Sequence, residues 1–301
     1  MQRNYGAAYA ASAYIAWGLL PIYWKALQRV PAVEILANRI IWALVAALAL
    51  VAWRRRGPAI WAALRNPRTV LVFLTSGVLL AANWMVYIWA VQHNFVVESS
   101  LGYFINPLVN VLLGVLFLHE RLRIGQGGAV AVALCGVVYL ALSHGGVPWI
   151  ALSLATTFGL YGLIRKTATL GSLEGLTLET LALALPSLAY VLWLQAQGTG
   201  ALGHSDGTTL ALLIGSGVVT SVPLVLFAAG ARRITLITLG ILQYIAPSIQ
   251  FALGTLLYGE ALSTERLVGF GLIWTALAIY TVEGSLHLRA NLARARSAGA
   301  A

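Results

Sequence analysis

Apolar residues run through this chain in long stretches separated by short groups of arginine, glycine and proline. The stretches fall at 5–25, 34–53, 69–92, 98–118, 125–143, 147–166, 174–195, 208–230, 236–258 and 266–286. A helix that crosses a bilayer needs roughly 20 predominantly apolar residues, which is the length of each stretch. None shows the strict alternation of a barrel strand. Backbone groups in lipid find partners only inside a helix or a closed barrel, so helices are the remaining choice. The pattern predicts an all-α membrane protein of ten transmembrane helices. The longest polar stretch, Ala196 to Gly207, has the length and composition of a loop and leaves no room for a soluble domain. The apolar run after Arg3 reads as a first spanning helix and not as a cleaved leader, because equally apolar runs recur along the chain.

Composition agrees with this reading. Charged residues are 9 % of the chain and hydrophobic residues 60 %, against about 25 % charged in an ordinary soluble domain. The formal charge of +10 is explained by topology, and nucleic acid is not expected as a partner. With the N-terminus inside, fifteen of the nineteen lysines and arginines fall on the cytoplasmic side. They are Arg3, Arg54, Arg55, Arg56, Arg65, Arg68, Arg121, Arg123, Arg165, Lys166, Arg232, Arg233, Arg289, Arg294 and Arg296. Lys25, Arg29 and Arg266 fall outside, and Arg39 lies within a span. This bias is the positive-inside rule, and it places both termini in the cytoplasm.

The chain also repeats itself weakly at an offset of 140. Pro107, Gly114, Glu120 and Leu122 match Pro247, Gly254, Glu260 and Leu262, and Gly77 matches Gly217. Gly18 and Lys25 match Gly159 and Lys166 at 141. The expected units are residues 1–143 and 144–287, followed by a basic cytoplasmic tail at 288–301. Each unit holds five spans. Five is odd, so the second copy enters the membrane from the opposite side. Such inverted repeats are common in secondary transporters, with the substrate near the midplane between the halves.

Polar and charged groups inside spans mark the candidate site. A buried charge costs roughly 2.5–3.5 kcal/mol on the insertion scale, so Arg39 and Glu179 stand out. They occupy equivalent repeat positions, and inversion puts Arg39 toward the outer side and Glu179 toward the inner side. The bland alternative is a snorkelling or helix-end charge. Glu98 begins the fourth span, where a carboxylate favours the helix N-terminus. Tyr103, Asn106 and Asn110 share one helix face, as do Gln243, Pro247 and Gln250. Amides in lipid want partners or a wet cavity. They either line a cavity, with Tyr244 beside them, or serve as interhelical glue beside a proline kink. Asn83 and Tyr87 share a face of the third span, and Trp17 and Trp84 offer stacking surfaces with one donor each. Trp53 and Trp149, near span ends, fit an interfacial belt.

Several segments resemble the EamA branch of the drug/metabolite transporter superfamily, and within it the RarD, or chloramphenicol-sensitive protein, group. They are Glu34-Ile35-Leu36-Ala37-Asn38-Arg39, Asn83-Trp84, Ile88-Trp89-Ala90-Val91, and the run from Glu98 to Asn110. Tyr161 to Lys166, Glu179-Thr180, Gln243-Tyr244-Ile245 and Tyr258-Gly259-Glu260 complete the likeness, which covers nearly the whole chain. Asn38 stands where the family pattern carries a histidine. The resemblance implies a ten-helix carrier of a bacterial-type inner membrane, built from two EamA repeats. It names no substrate.

Other function classes fit less well. His119-Glu120 lacks the second histidine of a zinc-protease motif, and the chain has no Walker loop. Cys135 is the only cysteine, and the five histidines are scattered, so neither cofactor nor metal is expected. A channel should show a filter or a charged ring. The expected activity is secondary transport of a small amphipathic metabolite or drug by alternating access, as an exporter or coupled to protons. The expected partners are a small-molecule substrate, the lipid bilayer and, where transport is coupled, protons. The alternative is a channel-like permease or a non-transporting membrane sensor.

Overall fold

A computed structural model of the chain describes residues 2–27, 29–92, 96–142, 149–257 and 264–298. Among these residues the only regular structure is helical. In chain order the helices are α1 (Gln2–Ala26), α2 (Ala32–Trp53), α3 (Gly57–Leu64), α4 (Pro67–Gln92), α5 (Val96–Leu118), α6 (Ile124–Leu142) and α7 (Trp149–Thr167). They continue with α8 (Ser172–Ala196), α9 (Ala201–His204), α10 (Gly207–Ala231), α11 (Leu236–Gln243), α12 (Ile245–Ala252) and α13 (Thr264–Ala298). A π-helical turn, Leu253–Leu257, extends α12.

Every apolar stretch in the sequence is helical over most of its described length. Among the described residues six segments are long and apolar enough to cross a membrane: Ala32–Trp53, Pro67–Tyr87, Ile124–Leu142, Ser172–Ala196, Gly207–Ala231 and Leu267–Gly284. Gly102–Leu118 and Leu236–Gln250 are shorter apolar helices. Serine, threonine, aromatic and charged positions dilute the apolar character of α1 and α7. The short helices α3 and α9 were not expected. Pro58 near the start of α3 suits a first helical turn, where the missing N–H is no loss. Through the residues expected as a basic tail, α13 runs unbroken to Ala298. Residues 285–298 hold leucine, alanine and arginine with no glycine or proline, so nothing stops the helix.

Prolines shape the interior. Pro247 has no N–H to give to the Gln243 carbonyl, and the expected span at 236–258 breaks there into α11 and α12, with Tyr244 between them. The Tyr244 N–H turns back to the Ile241 carbonyl at 3.3 Å in a tighter loop. Pro21 likewise frees the Trp17 carbonyl of α1. The Gln250 amide of α12 donates to that carbonyl at 3.3 Å, so one helix repairs what the proline removed in another.

Glu120 does a related task between helices. Past α5 the chain turns through His119, which adopts φ +52°. The Glu120 N–H then donates to the Gly114 carbonyl at 3.0 Å. This aims the carboxylate at the start of α11, where Oε1 accepts from Leu236 N at 2.9 Å and Oε2 from Ile237 N at 3.1 Å. A helix N-terminus presents unpaired N–H groups and a positive dipole end, so a carboxylate suits it. Lys166 Nζ stands 3.7 Å away on the same carboxylate.

Helix partners recur in corresponding pairs. α5 packs on α7, and α11–α12 pack on α1. α10 packs on both α2 and α1, and α4 packs on both α8 and α7. α2 meets α8, α5 meets α11, and α6 meets α13. Glycines set the closest of these approaches. A Cβ on Gly18 would stand 2.8 Å from the Ile249 side chain, and one on Gly159 would stand 2.7 Å from Val109. A Cβ on Gly77 would meet the Glu179 backbone oxygen at 3.3 Å, and one on Gly217 would run into the Trp42 backbone. Packing of small residues against neighbouring backbone is how membrane helices associate without a hydrophobic driving force.

The Gly217 contact is with backbone, so it has no side chain to swing aside. Gly217→Leu should lower the melting temperature of the detergent-solubilised protein by several degrees or prevent its folding, since overpacking costs about 1–3 kcal/mol. Gly127→Ala, which meets nothing within 4 Å, should not. Thermal unfolding followed by size-exclusion chromatography reads both.

Candidate functional site

The sequence candidates separate into three groups. The first surrounds Arg39 on α2. Its guanidinium carbon lies 4.4 Å from the ring centre of Trp84 and 5.0 Å from that of Trp24. Nε donates to the Thr220 hydroxyl of α10 at 3.1 Å. The phenols of Tyr87 and Tyr103 are near enough to feel its charge. They meet each other edge to face with ring centres 6.0 Å apart. Arg39 is half-buried. Helices α1, α2, α4, α5 and α10 therefore converge on one cation through aromatic and hydroxyl side chains.

The second group is an amide cluster that fastens α5 to α11. Asn110 Nδ2 donates to Asn106 Oδ1 at 3.2 Å and to Gln243 Oε1 at 2.9 Å, and all three residues are buried. Gly240 lets the backbones come together here, since a Cβ on it would stand 2.6 Å from the Pro107 oxygen. The shared face expected for Tyr103, Asn106 and Asn110 is thus divided, with Tyr103 turned to Tyr87 and the amides turned to α11. The pairing of Gln243 with Gln250 is also undone, because the break at Tyr244 sends Gln250 to α1. Asn83 is committed elsewhere, donating to the Leu154 oxygen at 2.8 Å and to the Thr157 hydroxyl at 2.9 Å on α7. Trp17 packs among Tyr14, Phe158 and Phe227 at centroid distances of 5.5–5.7 Å. Tyr244 turns away from both groups. It is fully buried toward α6 and α13, with its hydroxyl on the Phe104 oxygen at 3.2 Å.

The third group centres on Glu179, with a relative exposure of 0 %. Arg165 Nη1 stands 3.5 Å from Oε1, itself only 2 % exposed. The Ser76 hydroxyl donates to the same oxygen. Arg165 Nη2 also donates to the Ser172 oxygen at 2.9 Å, and its guanidinium lies over the Phe73 ring at 5.5 Å. Gly175 makes the space, because any Cβ there would overlap Arg165 Nη1. Arg39 and Glu179 have separate partners. Glu98 lies on α5, and its side chain is outside the described residues.

Sequence reasoning overlooked Arg165, Trp24 and Thr220. Arg165 was counted with the cytoplasmic charges, as it sits beside Lys166 at the end of α7. A carboxylate deep in a span needs a counter-charge, and Arg165 is the basic residue one short loop before Glu179. Trp24 and Thr220 carried no such signal. Among the described residues no three histidine, cysteine, aspartate or glutamate side chains gather as metal ligands would. What the groups offer is a cation with aromatic walls, a closed amide network and a buried ion pair.

Comparisons with known proteins agree with the fold. The EamA-like transporter family matches residues 4–142. The chain is 47 % identical over 299 residues to protein RarD of Streptomyces exfoliatus, covering 99 % of this chain and 94 % of that one. It is 45 % identical over 280 residues to the uncharacterised transporter YojE of Bacillus subtilis strain 168, covering 92 % and 93 %. A solved structure known only as a crystal structure of a protein superposes with a TM-score of 0.73 at 20 % identity, over 93 % of this chain and 98 % of that one, which is a likeness of fold. The chain belongs to the EamA-like transporter family and, within it, to the group of RarD proteins.

Proposed function

We propose that the chain is a secondary carrier that moves a small amphipathic metabolite or drug across the cytoplasmic membrane by alternating access. In this reading ten spans form two inverted five-helix repeats, 1–143 and 144–287, with both termini in the cytoplasm. The observation that carries it is a pair of contacts. Gly18 meets Ile249 and Gly159 meets Val109. Shifting Gly18 forward by the repeat offset gives Gly159, and shifting Ile249 back by it gives Val109, so the two contacts exchange the halves. The recurring helix pairs obey the same exchange, as expected of two copies facing each other in opposite senses.

Alternating access needs two halves that can trade conformations, and the two ends of this bundle differ now. At the end where α1 begins and α10 finishes, Tyr14, Phe158, Tyr161 and Phe227 stack into a plug between α1, α7 and α10. The Glu179–Arg165 pair and the Glu120–Lys166 pair close the same end. Toward the other end stands the aromatic cluster around Arg39. Exchanging the conformations of the halves would open the first end and close the second. Export is the proposed direction, with Glu179 as the proton-coupling group.

Purified protein in liposomes should show saturable counterflow of its solute. Unsaturable flux at channel rates would leave the channel-like permease, and absence of flux across a broad solute panel would favour a sensor. Asn106→Leu and Gln243→Leu should insert and yet lose transport, because each leaves Asn110 a buried donor short of a partner. Full activity in both would remove the amide cluster from the mechanism. Glu179→Gln should keep counterflow and lose its stimulation by an imposed pH gradient. It should also lower the melting temperature, since removing one member of a buried pair costs about 3–5 kcal/mol. Glu179→Gln with Arg165→Met should recover part of that loss, and undiminished gradient dependence would dismiss Glu179.

A further inference from the structure

We propose that Arg39 is the receptor for an anionic group on the solute, so that the substrate class is a carboxylate borne on a planar or apolar body. This rests on the carrier reading above and gives its solute a charge.

The two deeply placed arginines make the contrast. Arg165 has a carboxylate at 3.5 Å, a backbone carbonyl and almost no exposure. Its charge is answered from within the fold. Arg39 is half-buried and has no carboxylate partner among the described residues, whose ion pairs are Arg56–Glu174, Arg123–Glu283, Arg165–Glu179 and Lys166–Glu120. Among the described residues its hydrogen bond leaves through Nε to Thr220. The Nη1–Nη2 edge therefore holds four N–H donors with no acceptor among those residues. That edge matches a carboxylate in a two-bond, end-on arrangement.

Aromatic faces alone do not settle such a charge. Two cation–π contacts offset much of the cost of placing an arginine mid-span, and little more. The position is tolerable but hardly stabilising. A residue kept only to join helices would do better as an apolar side chain of similar length. A charge held in reserve is what a binding site requires.

The surroundings also suit a ligand. Among the described residues α4 packs closely on neither α1 nor α2. The interval between these helices is bridged by side chains, chiefly Trp24, Trp84 and Arg39. Tyr87 and Tyr103 bound it from α4 and α5. Four aromatic rings can receive a planar body while the guanidinium takes the charged end. A neutral amide of the same shape would leave the cation unanswered, and an amine would be repelled. Sites that pair with a polar group discriminate strongly against analogues lacking it.

The test uses three probes of one skeleton: phenylacetate, phenylacetamide and phenethylamine. Wild-type protein in nanodiscs should bind phenylacetate on the order of 10- to 100-fold more tightly than phenylacetamide, as expected of a charge-assisted bond. Arg39→Gln should erase that preference, and Arg39→Lys should keep part of it. Equal affinity of the wild type for acid and amide, or no binding of phenylacetate, overturns the proposal without any variant. So does an undiminished preference in Arg39→Gln. Flux in proteoliposomes separates this idea from the carrier reading. Acid-selective binding without saturable flux keeps the anion receptor and removes the carrier. Saturable flux indifferent to charge and to Arg39 keeps the carrier and removes the receptor.

Discussion

Hydrocarbon offers no partner to a backbone carbonyl, an amide or a charge, so each must be answered from within the protein. Much of the interior follows from that demand. Pro21 would leave the Trp17 carbonyl bare, and Gln250 from another helix covers it. The start of α11 exposes N–H groups, and Glu120 arrives from the turn after α5 to accept them. Asn106, Asn110 and Gln243 answer one another. Each repair joins two helices that are distant in sequence. The polar residues thereby fix which helices meet, a choice that uniformly apolar surfaces would leave open.

Small residues decide how closely the helices then approach. Gly18, Gly159, Gly217 and Gly240 stand where another helix passes too near for a Cβ. Contacts of this kind are narrow and shallow, so a helix can shift along them at little cost. The aromatic plug and the Glu179–Arg165 pair are wider and specific. In the proposed cycle the glycine contacts would act as bearings, and the plug and ion pair would hold one end shut.

The helices were legible because lipid enforces both their length and their composition. Residues of α4 and α8 were readable to within a few positions from apolar runs bounded by arginine and glycine. The interior was less so. Pro107 and Pro247 stand 140 residues apart, yet α5 runs on as one helix while the segment holding Pro247 divides at Tyr244. A missing N–H is written in the sequence, but whether a helix bends or breaks depends on the neighbours. Asn106 and Asn110 were identified as polar and inward, which is as far as their spacing reaches. Their preference for Gln243 over an open cavity depends on the close approach at Gly240, a tertiary fact. The burial of Arg165 is illegible in the sequence for a related reason. A helix-end arginine and a buried one look alike until Gly175 is seen to make room.

In the proposed repeat Arg39 and Glu179 occupy matching positions, and they meet opposite fates. The carboxylate is paired, hydrogen-bonded and sealed. The guanidinium is framed by indoles and left with its outer edge open. If the halves exchange conformations, the surroundings of the two charges exchange in kind, and what covers Glu179 in one state is withdrawn in the other. A cation exposed at one face and a carboxylate exposed at the other would then alternate in contact with water. Such an arrangement gives an anionic solute an attractive site on one side. It gives a repulsive one on the other once Glu179 is uncovered and ionised. In the proposed inverted copies, opposite charges at equivalent places would thus make the affinity for an anion differ between the two faces, while the driving gradient sets the direction of net movement.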